Sequence, residues 1–342
     1  MKGRTLDEFG SQFDPVIRAQ NAQAAAEKRL ADLQAMIAQD AALAALYAVL
    51  QSHPADPPQW LTAKPKKGKR NTVTATAFLS DCHFDEVVNP VEINGVNEYS
   101  RAIAEKRLQK FFSKAVELCT EYLAFEVEGL VLPMGGDMVS GNIHDELRES
   151  NESLILETCL HWADQLQAGV EMLAKAFPTV HIPCVVGNHG RMSKKPRAKG
   201  RVQDNFDWLI YKLLEMRAPK GVTYQVGLDA DVRWPVYSHR YQMTHGDQFR
   251  GGEGWGGLAS PILRGDQRKR VREAAVRTPY DTLIMGHWHQ LKDFGRVIVN
   301  GSLKGYDEYA ALGNFEIEPP QQAFWLTAPE HGRILTCPIF VA

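Results

Sequence analysis

The sequence predicts an α/β fold in which two β-sheets pack as a sandwich flanked by helices, with a helical extension in front. Three observations carry this. From Thr72 onward, strand-like and helix-like stretches alternate, the rhythm of βαβ units and of a sheet covered by helices. A second run of strand-like stretches, at 296–300, 323–327 and 334–340, comes late in the chain and calls for a second sheet. Five of the strand ends carry Asp, Asn or His, which is where open α/β sheets place their ligands.

The totals agree with one large domain and an appendage, since 342 residues is long for a single minimal domain and short for three. Hydrophobic content of 44% and charged content of 23% are ordinary globular values. The formal net charge is −2, so any case for a polyanionic partner must rest on local clusters. The five cysteines are scattered, odd in number and without a CxxC pair, which predicts reduced thiols and a cytoplasmic protein. No charged-then-apolar leader opens the chain, and no apolar run approaches the roughly 18–20 residues of a membrane span, so no membrane is expected.

In chain order, Asp14-Pro15 reads as a helix start. Leu30, Leu33, Ile37, then Leu43, Leu46 and Leu50 recur at helical spacing, with a break expected near Asp40. This predicts a helix or helical hairpin that packs on the main domain or on a second copy in a homo-oligomer. The stretch 53–70 reads as a Pro-rich linker ending in a basic run, so the expected division is a helical extension at 1–70 and a main domain at 71–342. Strands are expected at 72–79, 129–134, 181–186, 236–244 and 282–285, besides the three late ones. Helices are expected over 99–125, over 142–177 as a pair, around 204–216, and as a short piece near 268–272. The stretch 249–257 is Gly-rich and carries Trp255, which suits a substrate-contacting loop.

The strand ends carry Asp81-Cys82-His83, Gly136-Asp137, Gly187-Asn188-His189, His245-Gly246-Asp247 and Gly286-His287-Trp288-His289. Asp81 and His83 are two apart, so in an extended chain they leave the same side, and Cys82 points away from both as a core thiol. Gly135 and Gly136 free space and backbone angles beside Asp137. A lone strand-end His or a single Gly-Asp turn means little, but five such clusters in one chain are hard to assign to turn chemistry. Together they supply oxygen and imidazole donors for two divalent cations. Imidazole with carboxylate suits manganese, zinc and iron(II), and manganese is the first expectation. Two ions about 3.5–4 Å apart can clamp the attacking and leaving oxygens of a phosphoryl group, and a water between them loses a proton near neutral pH.

This ordered series resembles the calcineurin-like metallophosphoesterase superfamily over residues 73–305. The resemblance implies a β-sandwich flanked by helices and phosphodiester hydrolysis by in-line attack of a hydroxide bridging the metals. By position it implies that Asp81, His83 and His289 hold the first metal and that Asp137 bridges. Asn188, His245 and His287 would complete the second. His189 would not ligate but would contact the phosphate and assist the leaving oxygen, making His189 and Asp137 the catalytic pair. The strand-turn Asn300-Gly301-Ser302 fits the pattern. The sequence departs from it after His189, where the family usually has an acidic residue and this chain has Gly190-Arg191.

Within the superfamily the DNA-repair nuclease branch (SbcD-like) is the preferred neighbour. Basic clusters flank the site at 191–201 and 264–272, and Trp255 and Trp288 adjoin metal motifs where they could stack on bases. Arg191, Lys194, Lys195 and Arg197 are the candidate substrate contacts, Arg191 as a bidentate phosphate fork. The expected partner is therefore nucleic acid, DNA or RNA. A phosphatase or phosphodiesterase acting on a small nucleotide or phosphoprotein is the alternative, and a metal-binding scaffold without turnover is the alternative of another class.

Overall fold

The computed structural model describes residues 15–52, 54–63, 71–250 and 257–342. The expected basic run at 64–70 and Trp255 lie outside the described residues. The chain forms two compact units, 1–52 and 53–342. Among its described residues the first holds helix α1 (Pro15–Gln51), with no break near Asp40. Neither Gly nor Pro occurs there, and the Ala- and Leu-rich residues after Asp40 are strong helix formers.

The second unit starts earlier than the expected boundary between 70 and 71. Gln59–Thr62 form a 3₁₀ turn, and its Leu61 is completely buried in the sandwich core with Trp60 packed alongside. The Leu61 carbonyl accepts the Tyr237 N–H. Prolines at 54, 57 and 58 make this stretch look like linker, but the two apolar residues that follow fasten it to the domain.

The second unit is the expected α/β sandwich. The first sheet runs in the order β11 (Gly332–Phe340), β10 (Gln321–Ala328), β1 (Thr72–Ala77), β2 (Glu126–Val131), β3 (Val180–Cys184), β4 (Val222–Val226). Strands β1 to β4 pair in parallel, and β10 and β11 are antiparallel additions. The second sheet runs β5 (Asp231–Val236), β6 (His239–Thr244), β7 (Thr282–Met285), β9 (Val297–Val299), β8 (Lys292–Asp293). The expected strand at 236–244 is in fact the second half of a hairpin. Tyr237 at φ 54° turns the chain between β5 and β6, and Pro235 is tolerated because β5 is an edge strand. The regular alternation of Val222-Thr-Tyr-Gln-Val226 marks β4, which was not among the expected strands.

Alternation explains the layering. Trp234, Val236, Tyr241, Met243, Ile284 and Ile298 of the second sheet meet Phe78, Val131, Ala323 and Trp325 of the first and form the sandwich core. On the outer face Leu283, Met285, Val297 and Val299 pack with Ile262 of α6 (Ala259–Ala275). Helices α2 (Arg101–Glu117) and α4 (Ile155–Ala176) bury Phe111, Phe112, Trp162 and Leu166. Among the described residues the remaining α-helices are α3 (Asp145–Ser150), α5 (Phe206–Glu215) and α7 (Glu308–Leu312). Among the described residues no helix is long and apolar enough to cross a membrane.

Candidate metal centre

The carboxyl ends of β1, β2, β3, β6 and β7 bring the candidate donors together. Three groups have ligand atoms within 4.8 Å of one another: Asp81 with His83 and His289, Asp137 with His245 and His287, and His83 with Asp137 and His189. His83 and Asp137 each belong to two of them, so the third group joins the other two. Asn188 joins through its amide oxygen, 3.1 Å from His245 Nε2. All seven expected ligands and His189 therefore face one site. Asp247 of the His245-Gly246-Asp247 motif does not. It makes a two-pronged ion pair with Arg201 at 2.7 and 2.8 Å.

The local backbone departs from the expectation of an extended chain. β1 ends at Ala77, and Asp81 and His83 have φ of 52° and 46°. Asp137, His287 and His289 are also left-handed, at 50°, 73° and 55°. Such conformations cost about 1–3 kcal/mol each in a non-Gly residue and persist only where the surroundings enforce them. Here the backbone does so: Asp81 N–H donates to Gly136 O at 3.1 Å and His83 N–H to Asp137 O at 3.0 Å. Gly136, at φ 88°, lies so close to the β3 end that a Cβ would be 2.3 Å from Gly187 N. Cys82 between the ligands is a buried free thiol, as expected.

Two of the rings are aimed by their other nitrogen. His245 Nδ1 lies 2.8 Å from Gly135 O and His189 Nδ1 lies 3.0 Å from Ser140 O, so both rings donate backwards and turn Nε2 inwards. His83 Nδ1 faces Glu86 Oε2 at 3.3 Å. Burial works against ionising Glu86, but the Lys304 ammonium at 2.7 Å overrides it and holds the carboxyl far below its usual range. Burial pushes His83 and His287 down to about 4, so both are neutral imidazoles. Burial also opposes charge on His245, yet the Asp137 carboxylate at 2.9 Å outweighs it and pushes the ring up to about 10.

The donor set fits divalent cations. His83 Nε2 and His289 Nε2 face each other at 3.1 Å, and only one nitrogen of such a pair can carry the shared proton. Asp81 and Asp137 are buried, and among the described residues no Lys or Arg pairs with either. Carboxylates and lone pairs that converge in a buried space are stabilised by a cation at their focus. Asp81, His83, Asp137 and His245 form the floor. Asn188, His189, His287 and His289 are partly exposed and form the rim, the side from which a substrate would enter.

The substrate-contact candidates are placed differently. Three guanidinium nitrogens of Arg191 already donate to loop carbonyls, of Asn188, Ser193 and Lys194, at 2.9–3.0 Å. Its fork shapes the loop, and only its remaining N–H groups are left for a ligand. Lys194 pairs with Asp145 at 2.7 Å, Arg197 approaches Asp204 at 3.8 Å, and Lys195 is exposed. Trp288 is half-buried against the outer apolar cluster under α6.

Asp207 is the main residue that sequence reasoning missed. It is fully buried, and its carboxylate accepts the N–H groups of Asp137 at 3.0 Å, Met138 at 3.1 Å and Gly187 at 2.9 Å. It thereby ties the β2 and β3 metal loops together. Burial and the nearby Asp137 charge push it up to about 7, against the pull of those N–H groups. Asp207 also explains Gly190. A Cβ at Gly190 would sit 2.4 Å from Asn205 Oδ1 and 2.9 Å from Asp207 Oδ1. An acidic side chain at 190 would compete for the volume that Asn205 and Asp207 fill from the start of α5. Asn205 caps α5 by accepting the Asp207 N–H, and this ordinary helix-start geometry hides the second role of Asp207.

No family model matches the chain, and no curated protein matches it in sequence. Among solved structures it is similar to Vacuolar Protein Sorting 29 of Cryptosporidium parvum, at 13% identity and TM-score 0.31, over 78% of this chain and 96% of that one. It is similar to a dimetal phosphatase of Danio rerio, at 11% identity and TM-score 0.35, over 79% of this chain and 99% of that one. It is also similar to a predicted phosphoesterase of Streptococcus pneumoniae TIGR4, at 13% identity and TM-score 0.28, over 78% of this chain and 97% of that one.

Proposed function

We propose that this protein is a dinuclear-metal phosphoesterase that hydrolyses phosphodiester bonds, with nucleic acid as substrate. The observation that supports it most is Asp137, a buried carboxylate that groups with His245 and His287, beside Asn188, and also with His83, which itself belongs to the group of Asp81 and His289. Two divalent cations in such a site, manganese first, supply Lewis acidity toward phosphoryl oxygens and make water acidic enough to yield a nucleophile near neutral pH. The chain's own residues do the rest. His189 keeps its Nδ1–H on Ser140 O and presents Nε2 at the rim, where, once that nitrogen also carries a proton, it can donate to a phosphoryl oxygen and pass the proton to the leaving oxygen. Lys195 and the remaining N–H groups of Arg191 are candidate contacts to flanking phosphates, with Lys194 and Arg197 once released from their acidic partners.

The test is hydrolysis of bis(p-nitrophenyl) phosphate and of a labelled oligonucleotide by the purified protein with added manganese, beside Asp137→Asn. The expected result is metal-dependent cleavage of both, with metal content and turnover lost together in Asp137→Asn. An inactive Asp137→Asn protein that still holds two equivalents of metal contradicts the bridging role. A metal-loaded wild-type protein that cleaves neither substrate leaves the scaffold alternative standing.

A further inference from the structure

Outside the donor site the chain forms a second concentration of charge, on α6. Helix α6 carries Arg264, Arg268 and Arg272 at intervals of four, one turn or about 6 Å apart. They border a cleft of about 310 Å³ that Arg250 and Lys269 also line. Asp231 is the one carboxylate in that lining, although the chain as a whole is net −2. Lys269 and Arg272 neutralise it, Lys269 at 2.7 Å. Arg250, Arg264 and Arg268 are exposed, and among the described residues none of the three has an acidic or hydrogen-bonding partner. Like charges that converge on one cleft raise each other's free energy, and a bound anion relieves it.

The contrast with 191–201 is what makes this cleft the stronger anion site. There Arg191, Lys194, Arg197 and Arg201 are engaged, by loop carbonyls or by Asp145, Asp204 and Asp247, and among the described residues Lys195 and Lys199 are left as exposed cations. In the α6 cleft the three arginines are free to fork onto phosphate. The cleft is also tethered to the metal centre. His245 is followed by a turn closed by Phe249 N–H to Gly246 O at 2.9 Å, which holds Arg250 within one turn of that ligand. Phe249 in turn seats on α6 at Gly265, where a Cβ would be 2.6 Å from the ring, so Arg250 shares the cleft with Arg264 and Arg268.

We propose that the α6 cleft is a second anion site, which takes the sugar-phosphate backbone of a nucleic-acid strand running outward from the metal centre. A row of cations at regular spacing matches a ligand whose charge repeats. A lone phosphate or a phosphoprotein would use one of them. The inference rests on the nucleic-acid reading above and names the surface that grips the strand.

The experiment measures binding of a labelled single-stranded DNA to the full chain by anisotropy as a function of KCl. Wild type is compared with Arg250→Gln/Arg264→Gln/Arg268→Gln, with the unfolding midpoint and metal content as checks of integrity. Each lost phosphate contact lowers the salt slope by about 0.7 and weakens binding roughly 5-fold at 0.1 M salt. The triple variant is therefore expected to lose about 2 units of slope and roughly 100-fold in affinity, with an unchanged midpoint. If wild type binds and the triple variant matches it in affinity and slope, the α6 site is wrong and the nucleic-acid reading survives. If wild type shows no salt-dependent DNA binding at all, the nucleic-acid reading itself fails. Should the triple variant unfold, the single changes Arg264→Gln and Arg268→Gln decide, each expected to remove about 0.7 of slope.

Discussion

Removing the Asp207 carboxylate tests whether it is the brace of the metal loops or only a helix-capping acid. In Asp207→Ala the N–H groups of Asp137, Met138 and Gly187 lose their acceptor in a fully buried place. A buried donor left unsatisfied costs about 1–3 kcal/mol, so three cost roughly 3–9 kcal/mol before any water enters the gap. Whole domains are stable by only about 5–15 kcal/mol. If Asp207 merely complemented the α5 dipole, the loss would stay near 0.3–1 kcal/mol. The two accounts differ enough for urea unfolding to separate them, with metal content measured on the same samples. Asp207→Asn should fall between, since its amide keeps one acceptor oxygen but points two donors at the same N–H groups. Gly190→Ala should also destabilise, because its Cβ would press on Asn205 and Asp207 from the other side. An Asp207→Ala protein that loses under 1 kcal/mol and keeps its metals would refute the brace.

His189→Ala should retain both metals, because the outer donor groups do not need it, and lose roughly 10²–10⁴ in rate; metal lost along with activity would make His189 a ligand. A chain that begins at Pro54 should fold like the full protein, whereas Leu61→Ala should cost about 2–5 kcal/mol as a core truncation; a neutral Leu61→Ala would remove Leu61 from the core. Glu86 is ionised far below its unfolded range because of Lys304, so its contribution is present above the unfolded value of about 4.3 and is lost as pH falls towards the depressed folded one. Glu86→Gln should therefore flatten the fall of stability with acid, and an unchanged pH profile of unfolding would show that the Glu86–Lys304 pair contributes nothing.

The strands that carry ligands were legible because they combine apolar runs with Asp or His at their ends. β7 spans Thr282–Met285 as its pattern predicts, and the two-sheet sandwich follows from the late strands. β5 was not, because Pro235 reads as a strand breaker unless the strand is known to lie at an edge, and edge position is a property of the assembled sheet. Leu61 was hidden by the prolines before it. Among the site residues, those with chemistry at a strand end could be found, since the motif and the geometry coincide. Asp207, Glu86 and Lys304 could not, because each acts through a contact far away in sequence: Glu86 with Lys304 is a pair separated by 218 positions. The engagement of Arg191 by its own loop also lies beyond sequence, since a basic residue beside a motif looks the same whether its donors face carbonyls or solvent.

The left-handed ligands raise a question of register, and the parallel ladder answers it. β1 and β2 pair up to Thr76 and Val131, yet backbone bonds between the two segments continue beyond the strands. Leu79 N–H reaches Pro133 O, Asp81 reaches Gly136, His83 reaches Asp137 and Phe84 reaches Met138, at 2.8–3.1 Å. Alternation alone would leave Asp81 and His83 on one face of a flat chain. With both residues at positive φ the loop curls while its N–H groups stay bonded, so Asp81 reaches His289 and His83 reaches both His289 and Asp137. On the far side Asn300 performs the equivalent stitching. Its amide donates to Ser80 Oγ at 2.9 Å and to Gln322 at 2.8 Å, and its oxygen accepts the Ala323 N–H at 2.7 Å. Ser80 in turn donates to Asp81, so the end of β9 in one sheet sets the carboxylate at the end of β1 in the other. Strained ligand conformations can persist here because the two sheets hold the loop from both sides, and loosening either sheet should cost metal affinity before it costs the fold.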